Sequence, residues 1–480
     1  MLLEDKVISV DVEVDFILSN GISTKTLTIP LRTDEQAETE DSENYIESIS
    51  ISRKLNIQGA SLAVVSSDSL RIDLISKDQS LMPDNALSPY YEYLNDNAIA
   101  VIYATGYIYE NSNGEHAYRS FKEQRKPLGT FYVYDWLSAS TTEELNAVTI
   151  LANDILSDIM ASEVPNVKPE DGLTIKEYFC RIITALNDEI TYDDFKIKFN
   201  KGDISFGTLD ADYNNIFNLD TSSMDNFLNN LSQSTLTNIY ISNGNNLKTD
   251  QIYDDASDIP VCNISEDINI VSISSEDSNL VKYTNLELKY PLGTVGKFEQ
   301  LLSGDQETDS NLEIEFPTTI NRIFFASVTG GTTKPDVTIK DYNAKKMIID
   351  INTGGEETVN CKVVGRKYSD ALKTKKESIA VKRKNSTLSV VNRVLSPLLI
   401  PEYFRILKDI IKIQKNSLTA QGMFNPLINI CDTVLVDADE ILNIKEGKYK
   451  VVGIDLEFSE SYNCTLNMLK FTDKGVAVNE

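Results

Sequence analysis

A chain of 480 residues exceeds one ordinary hydrophobic core, so two or three domains are expected. Hydrophobic residues make up 41% and aromatics 8%, a composition that folds rather than staying disordered. The formal net charge of −28 argues against nucleic-acid binding as the main task, because that affinity rests on neutralising phosphates.

No apolar run approaches the roughly 20 residues that cross a bilayer, so no stable membrane insertion is expected. The start, Met1-Leu2-Leu3-Glu4-Asp5-Lys6, lacks the basic and long apolar regions of a secretory signal, which predicts synthesis and folding in a cytoplasm. Cys180, Cys262, Cys361, Cys431 and Cys464 form no CxxC pair, against a disulfide framework or a structural zinc site. Cys431 and Cys464 lie in strand-like runs and read as small buried hydrophobes. The single histidine, His116, sits in a polar loop, so a His-rich metal centre is excluded. Paired-carboxylate chemistry needs only two acids, and 73 Asp and Glu neither exclude nor support it. No catalytic, metal or cofactor-binding residue is expected.

Along the chain, Val10, Val12 and Val14 alternate with Asp11, Glu13 and Asp15, the mark of a half-buried strand. Asn20-Gly21 turns it into Thr26–Ile29. The acidic run Thr33–Glu43 reads as an exposed loop. Further strands are predicted at Ile49/Ile51, Leu70/Ile72/Leu74, Ile99/Val101/Tyr103 and Phe131/Val133, making residues 1–138 an antiparallel barrel or sandwich. The period then changes. A capping box in Thr141-Thr142-Glu143-Glu144, with Leu145, Val148, Leu151, Ile155, Leu156 and Ile159, predicts a helix over 143–160. A second box, Thr174–Glu177, opens a helix carrying Tyr178, Phe179, Ile182, Ile183 and Leu186 over 173–186. Both stripes read as core-facing, and this 139–200 segment is expected to pack on the first β-domain.

Residues 201–285, rich in Asn, Asp and Ser, read as an acidic insertion with a short helix near Phe227-Leu228. Between 201 and 280, Lys201 and Lys248 face thirteen acidic residues. Strands resume at Leu286, with a turn at Thr329–Thr332, and 286–390 reads as a β-rich insertion or the start of a second domain. Pro401 opens a helix with Tyr403, Phe404, Ile406, Leu407, Ile410 and Ile411 on its apolar side. It is either wholly buried or a subunit contact. The last fifty residues return to antiparallel β, with Val434/Val436, Tyr449/Val451, Ile454/Leu456/Phe458 and Cys464/Leu466/Met468. Residues 391–480 thus form a second β-domain with one helix. The class is α+β and mainly β, with helical and irregular insertions.

Three motifs invite a site and weigh light. Gly293–Phe298 looks like a phosphate loop but lacks the spacing between glycines, and Phe298 stands where Ser or Thr would meet magnesium. Asp210–Asn215 begins like a calcium loop, yet Asn215 stands where Gly is needed and Thr221 where Glu is needed. Lys373, Lys375, Lys376 and Lys382-Arg383-Lys384 read first as edge protection of a strand, second as docking onto an acidic neighbour. Residues 366–415 hold thirteen basic residues against four acidic ones.

A short signature occurs twice: Gly129-Thr130-Phe131-Tyr132-Val133 and Gly447-Lys448-Tyr449-Lys450-Val451. In each, a glycine precedes an aromatic and a valine that share one strand face, as two similar β-domains in one chain would show.

Three stretches carry a resemblance. They are Ile49–Leu55 continuing to Leu70–Leu74; Leu128–Trp136 followed by Gly172–Tyr178; and Asn425–Val434, a dozen residues before the second signature. Together they resemble the tail-hub or baseplate-hub family of tailed phages and contractile particles, which uses the tail-tube β-barrel twice in one chain. The likeness covers about half the chain, at its two ends. It departs at Cys431, where hubs commonly have Gly before the Asp, and 190–390 is outside it.

The resemblance implies two tail-tube-like antiparallel β-barrel domains per subunit and a homotrimer that joins a six-fold tube to a three-fold central spike or tip protein. It also implies the tail-tube protein, the tape measure protein and peripheral baseplate proteins as partners, with DNA only in transit through an acidic channel. The location would be the virion, after assembly in the bacterial host cytoplasm. A β-rich receptor-binding adhesin of the tail tip is the alternative, and a cell-wall-degrading tail-tip enzyme a second.

Overall fold

The computed structural model describes residues 6–470. It leaves out 32–43, 56–62, 141–145, 168–174, 187–222, 251–258, 277–282, 330–335, 353–357, 380–385 and 393–399, with a few interruptions of one to four residues. The acidic run 33–43, both capping boxes, the calcium-like stretch and Lys382–Lys384 therefore lie outside the described residues or at their margin.

Eight strands open the chain: β1 (Lys6–Ser19), β2 (Thr24–Pro30), β3 (Asn44–Lys54), β4 (Ser69–Ser76), β5 (Ile99–Glu110), β6 (His116–Ser120), β7 (Lys126–Ser140) and β8 (Asn146–Asn153). Alternation does what it predicts: Val10, Val12 and Val14 are buried, and Gly21 takes φ +80° in the turn to β2. The order is β3-β4-β8-β7-β5-β1-β2, and a bridge from Leu31 to Ile46 brings the far side back to β3. The result is a barrel.

The helix expected over 143–160 is corrected. Its first part is β8, with Val148, Ile150 and Ala152 buried at period two, and only Ile155–Ala161 is helical (α1). The run satisfied both periods, and pairing of β8 between β4 and β7 decides for the strand. Asp154 makes the switch: its carboxylate accepts from the Leu156 N–H and caps α1.

Next come α2 (Ile175–Leu186), α3 (Met224–Thr235), β9 (Asn238–Ile241), β10 (Leu247–Asp250), β11 (Cys262–Ser265) and β12 (Ile270–Glu276). Then follow β13 (Asn285–Pro291), β14 (Val295–Glu307), β15 (Leu312–Glu315), β16 (Ile320–Thr329), β17 (Asp336–Tyr342), β18 (Lys346–Asn352), β19 (Thr358–Tyr368), β20 (Leu372–Ser378) and β21 (Thr387–Val391). The chain ends with α4 (Ile400–Ile413), β22 (Ser417–Gly422), β23 (Thr433–Ala438), the short helix α5 (Asp439–Leu442), β24 (Ile444–Phe458) and β25 (Tyr462–Lys470).

β11 and β12, read from sequence as part of an acidic insertion, join the large sheet. β12 pairs with β22, and β11 runs parallel to β23. With β24 and β25 they make a second barrel-like sheet, order β12-β22-β25-β24-β23-β11, with β11 and β12 at its two ends. Residues 277–416 are inserted between two of its neighbouring strands.

The two barrels share one register. Gly129 lies opposite Ile102 as Gly447 lies opposite Val436, and Lys126 opposite Ala104 as Ile444 opposite Ala438. Trp136 faces Ile150 as Ile454 faces Leu466. Ile72 stands between Ile150 and Ile49, as Ala420 stands between Leu466 and Ile273. The bulges agree too, at Val133/Asp135 and Val451/Gly453, and at Ile46/Ser48 and Ile270/Ser272. One strand differs: β1 is antiparallel to β5, whereas β11 is parallel to β23.

Two further cores lie outside the barrels. No residue of α1–α4 is part of the barrel core. Phe179, Ile182, Leu228 and Leu231 pack with Ile155 and Leu156 of α1, with Tyr403, Phe404 and Leu407 of α4, and with Leu286 and Leu388 of the sheet β20-β13-β21. Tyr403 Oη donates to the Gln233 carbonyl at 2.9 Å, tying α4 to α3. This cluster meets the first barrel through Val65 and Tyr132. The stripes of α1 and α2 thus face one another and α3 and α4, with the first barrel touched at Val65 and Tyr132, and the 400–413 helix packs in this cluster. The third core, around Met347, Ile349, Cys361 and Val363, joins the sheets β14-β19-β16 and β15-β18-β17.

Candidate functional site at the junction of the two barrels

The barrels are fused edge to edge. The first half of β24 pairs with β23, and its second half pairs with β3, from Gly453 opposite Lys54 to Phe458 opposite Ile49. On one face of this seam Ser52 Oγ donates to Asp455 Oδ1 at 2.6 Å, and Lys54 Nζ stands 2.9 Å from the same oxygen. On the other face Ile51, Ile49, Leu456 and Phe458 are sealed in the core.

Arg53 points inward from the seam and is 2% exposed. Its Nε lies 2.9 Å from Asp68 Oδ2, its Nη2 donates to the Leu128 carbonyl, and its Nη1 to Asn243 Oδ1. The Asn243 N–H in turn donates to Asn429 Oδ1 at 3.0 Å, and the Asn429 N–H to Asp432 Oδ2 at 2.7 Å. A polar chain thus runs from β7 of one barrel, through β3 and the turn after β9, to the turn that enters β23 of the other. A buried guanidinium keeps its charge only where such acceptors converge.

Three carboxylates in this region are perturbed by burial. Asp68 is held above the usual range by desolvation, which the Arg53 charge opposes. Asp154 is pushed up to about 6 by burial against donation from the Asp68 and Leu156 N–H groups and Ser67 Oγ. Asp432 is likewise at about 6, chiefly from burial. These are hydrogen-bonded structural groups at a joint between modules.

The repeated signature gains a physical reason here. A Cβ on Gly129 would stand 2.5 Å from Phe131 Cε2 and 3.1 Å from Arg53 Nη2; one on Gly447 would stand 2.8 Å from Tyr449 Cε2. In both barrels the aromatic two residues on lies over the glycine. Cys431, where the resemblance expected Gly, has φ +65° and is buried.

The remaining sequence motifs fall elsewhere. Gly296–Phe298 lie within β14, a strand rather than a phosphate cradle. His116 is exposed at the start of β6. Lys373, Lys375 and Lys376 lie on β20, an edge strand, where Lys375 pairs with Glu377 and Lys376 with Glu287 at 3.2 and 2.6 Å. Lys408 of α4 reaches Glu377 at 2.6 Å. Among the described residues no three metal-ligating side chains converge, and no helix is long and apolar enough to cross a membrane. Sequence reasoning missed Arg53, Asp68 and Asn243. A charged residue inside the alternating run Ile49–Leu55 was the available signal.

No family model and no curated protein matches the chain. Solved structures do. The 43 kDa tail protein of prophage MuSo2 from Shewanella oneidensis is 10% identical with a TM-score of 0.48, over 95% of this chain and 98% of that one. A tail protein from Neisseria meningitidis MC58 is 10% identical with a TM-score of 0.47, over 96% and 97%. The E. coli c3393 protein, a type VI secretion component described as similar to T4 tail proteins gp27 and gp5, is 8% identical with a TM-score of 0.39, over 91% and 76%.

Proposed function

We propose that this chain is a structural hub of a phage tail or tail-like particle, a scaffold rather than an enzyme. The observation that carries the reading is the pair of barrels in one register, joined through β24 and β3. Three copies would present six equivalent barrels, which is what a six-fold tube needs from a three-fold tip. On this reading the first tube-like module spans residues 6–153, and the second combines 262–276 with 417–470. The segment 277–416 decorates the second module. The tail-tube protein would stack on one face of the ring and a spike or tip protein below it, with the tape measure protein and DNA in the channel. Peripheral baseplate proteins would meet the inserted domains. The place of action is the virion, after assembly in the host cytoplasm.

The deciding experiment is a cryo-EM map of the particle that contains the chain. A ring of three copies coaxial with the tube is expected; one copy, or copies placed off the axis, would overturn the reading.

One observation favours the adhesin reading for the inserted β14–β19 domain alone. Phe298 and Phe324 are about half exposed, with ring centroids 3.9 Å apart, and Arg366 lies 4.2 Å over Phe298. Loss of host-cell adsorption in a Phe298→Ser/Phe324→Ser particle of intact morphology would support it.

A further inference from the structure

Asn-Gly occurs three times in the chain, each time behind a serine: Ser19-Asn20-Gly21, Ser112-Asn113-Gly114 and Ser242-Asn243-Gly244. A glycine after asparagine leaves the side-chain amide carbon open to the next main-chain nitrogen, because no Cβ stands in the way. The tripeptide is the same in all three, so a difference in reactivity among the copies comes from the fold.

The fold holds them differently. Asn20 turns β1 into β2, and its Oδ1 accepts from the Ile22 and Ser23 N–H groups at 3.0 and 2.9 Å. The Gly21 N–H donates to Ser19 Oγ at 3.2 Å. Asn243 is buried at the joint between the barrels, where its Oδ1 accepts from the Arg53 guanidinium and its Nδ2 donates to the Leu427 carbonyl at 3.4 Å. Asn113 lies exposed in the turn from β5 to β6. Its main-chain N–H donates to Asn111 Oδ1 at 3.0 Å, and the Gly114 N–H to the Asn111 carbonyl at 2.9 Å. Its side-chain amide makes no hydrogen bond among the described residues.

We propose that Asn113 is a site of spontaneous deamidation and isoaspartate formation, and that hydrogen bonds restrain the same chemistry at Asn20 and Asn243. The Gly114 nitrogen attacks Asn113 Cγ, a C–N bond forms, the Cγ–Nδ2 bond breaks, and ammonia leaves with the displaced proton. Water then opens the five-membered imide at one of its two carbonyls, which leaves aspartate or isoaspartate. Attack at Asn113 breaks one hydrogen bond, that of the Gly114 N–H. Attack at Asn20 breaks the bond of the Gly21 N–H and two more at Oδ1, and two extra bonds slow it by about thirtyfold. Asn243 must leave a charged donor and a buried site, so it is slower still. The product matters to β6, which pairs with β5 alone among the described residues. Isoaspartate adds a carbon to the main chain beside the pair Glu110 and His116 that opens this hairpin.

The test follows the full chain, folded in neutral buffer and, in parallel, unfolded in urea. Peptide mass spectrometry reads conversion at each Asn-Gly, and enzymatic methylation counts isoaspartate. In the folded chain Asn113 should convert about thirtyfold faster than Asn20, with Asn243 last. In urea the three rates should converge. Asn113→Gln should remove the isoaspartate signal of the folded chain. The converted fraction, separated by its added charge on anion exchange, should exchange the amide hydrogens of β6 faster. A folded chain in which Asn113 converts no faster than Asn20 or Asn243 overturns the proposal. A ranking that survives in urea overturns its structural cause.

Discussion

The guanidinium of Arg53 on β3 and the carboxylate of Asp68, just before β4, lie 2.9 Å apart with side chains 2% and 6% exposed, and the guanidinium also donates to Asn243 in the turn after β9. Removing one partner of such a pair leaves an uncompensated buried charge, which costs about 3–5 kcal/mol. Arg53→Met and Asp68→Asn should each lower the urea midpoint accordingly. Arg53→Met with Asp68→Leu should cost less than the sum of the single changes, because neither charge is then stranded. Strict additivity would show that the pair does not act as a unit.

The glycines of the repeated signature make a second test. Phe131 is buried and cannot swing away from a new Cβ on Gly129, so Gly129→Ala should destabilise by about 1–3 kcal/mol. Gly447→Ala, with the longer 2.8 Å approach and Tyr449 in the same role, should cost less. Adding Phe131→Leu should recover part of the Gly129→Ala loss. Equilibrium unfolding of the three variants decides; a neutral Gly129→Ala would remove the proposed reason for the repeat.

What the sequence disclosed follows from range. The alternation of Val10, Val12 and Val14, the Asn20-Gly21 turn and the helix opened at Pro401 are local signals, and each stands in the fold. β8 was misread because Val148 fits both a period of two and the Leu145–Ile159 helical stripe. β12 was hidden because its partner β22 lies beyond the inserted segment 277–416, and pairing at that separation leaves no local trace. The same holds for Arg53, whose acceptor Asn243 is 190 residues away.

The raised carboxylates give a pH signature. Asp154 titrates near 6 when folded and near 3.9 when unfolded, so between those values the folded state binds more protons. Stability from this group is therefore present at low pH and falls as pH rises from about 4 to about 6, by roughly 1–3 kcal/mol. Asp154→Asn keeps a helix cap and abolishes the titration. The difference in unfolding free energy between wild type and variant should slope through that window and be flat above about pH 7. Asp432, buried and also near 6, should behave alike in Asp432→Asn. A flat difference curve for both would show that neither carboxylate is desolvated in solution.

Cys431 offers the most pointed check on the turn that enters β23. Its φ of +65° is left-handed, and its N–H donates to the Val451 carbonyl at 2.8 Å, so the turn cannot relax without losing a bond to β24. A side chain in that region costs roughly 1–2 kcal/mol relative to its ordinary conformation. Cys431→Ala keeps that cost and forfeits the buried sulfur. Cys431→Gly removes the cost, forfeits the whole small side chain, and adds about 0.5–1 kcal/mol of unfolded-state entropy to overcome. The glycine variant should therefore be at least as stable as the alanine variant, the reverse of the usual order at a buried position. If thermal or urea unfolding instead placed Cys431→Ala above Cys431→Gly by about 1 kcal/mol, the left-handed turn would carry no strain and the burial of the side chain would govern the site.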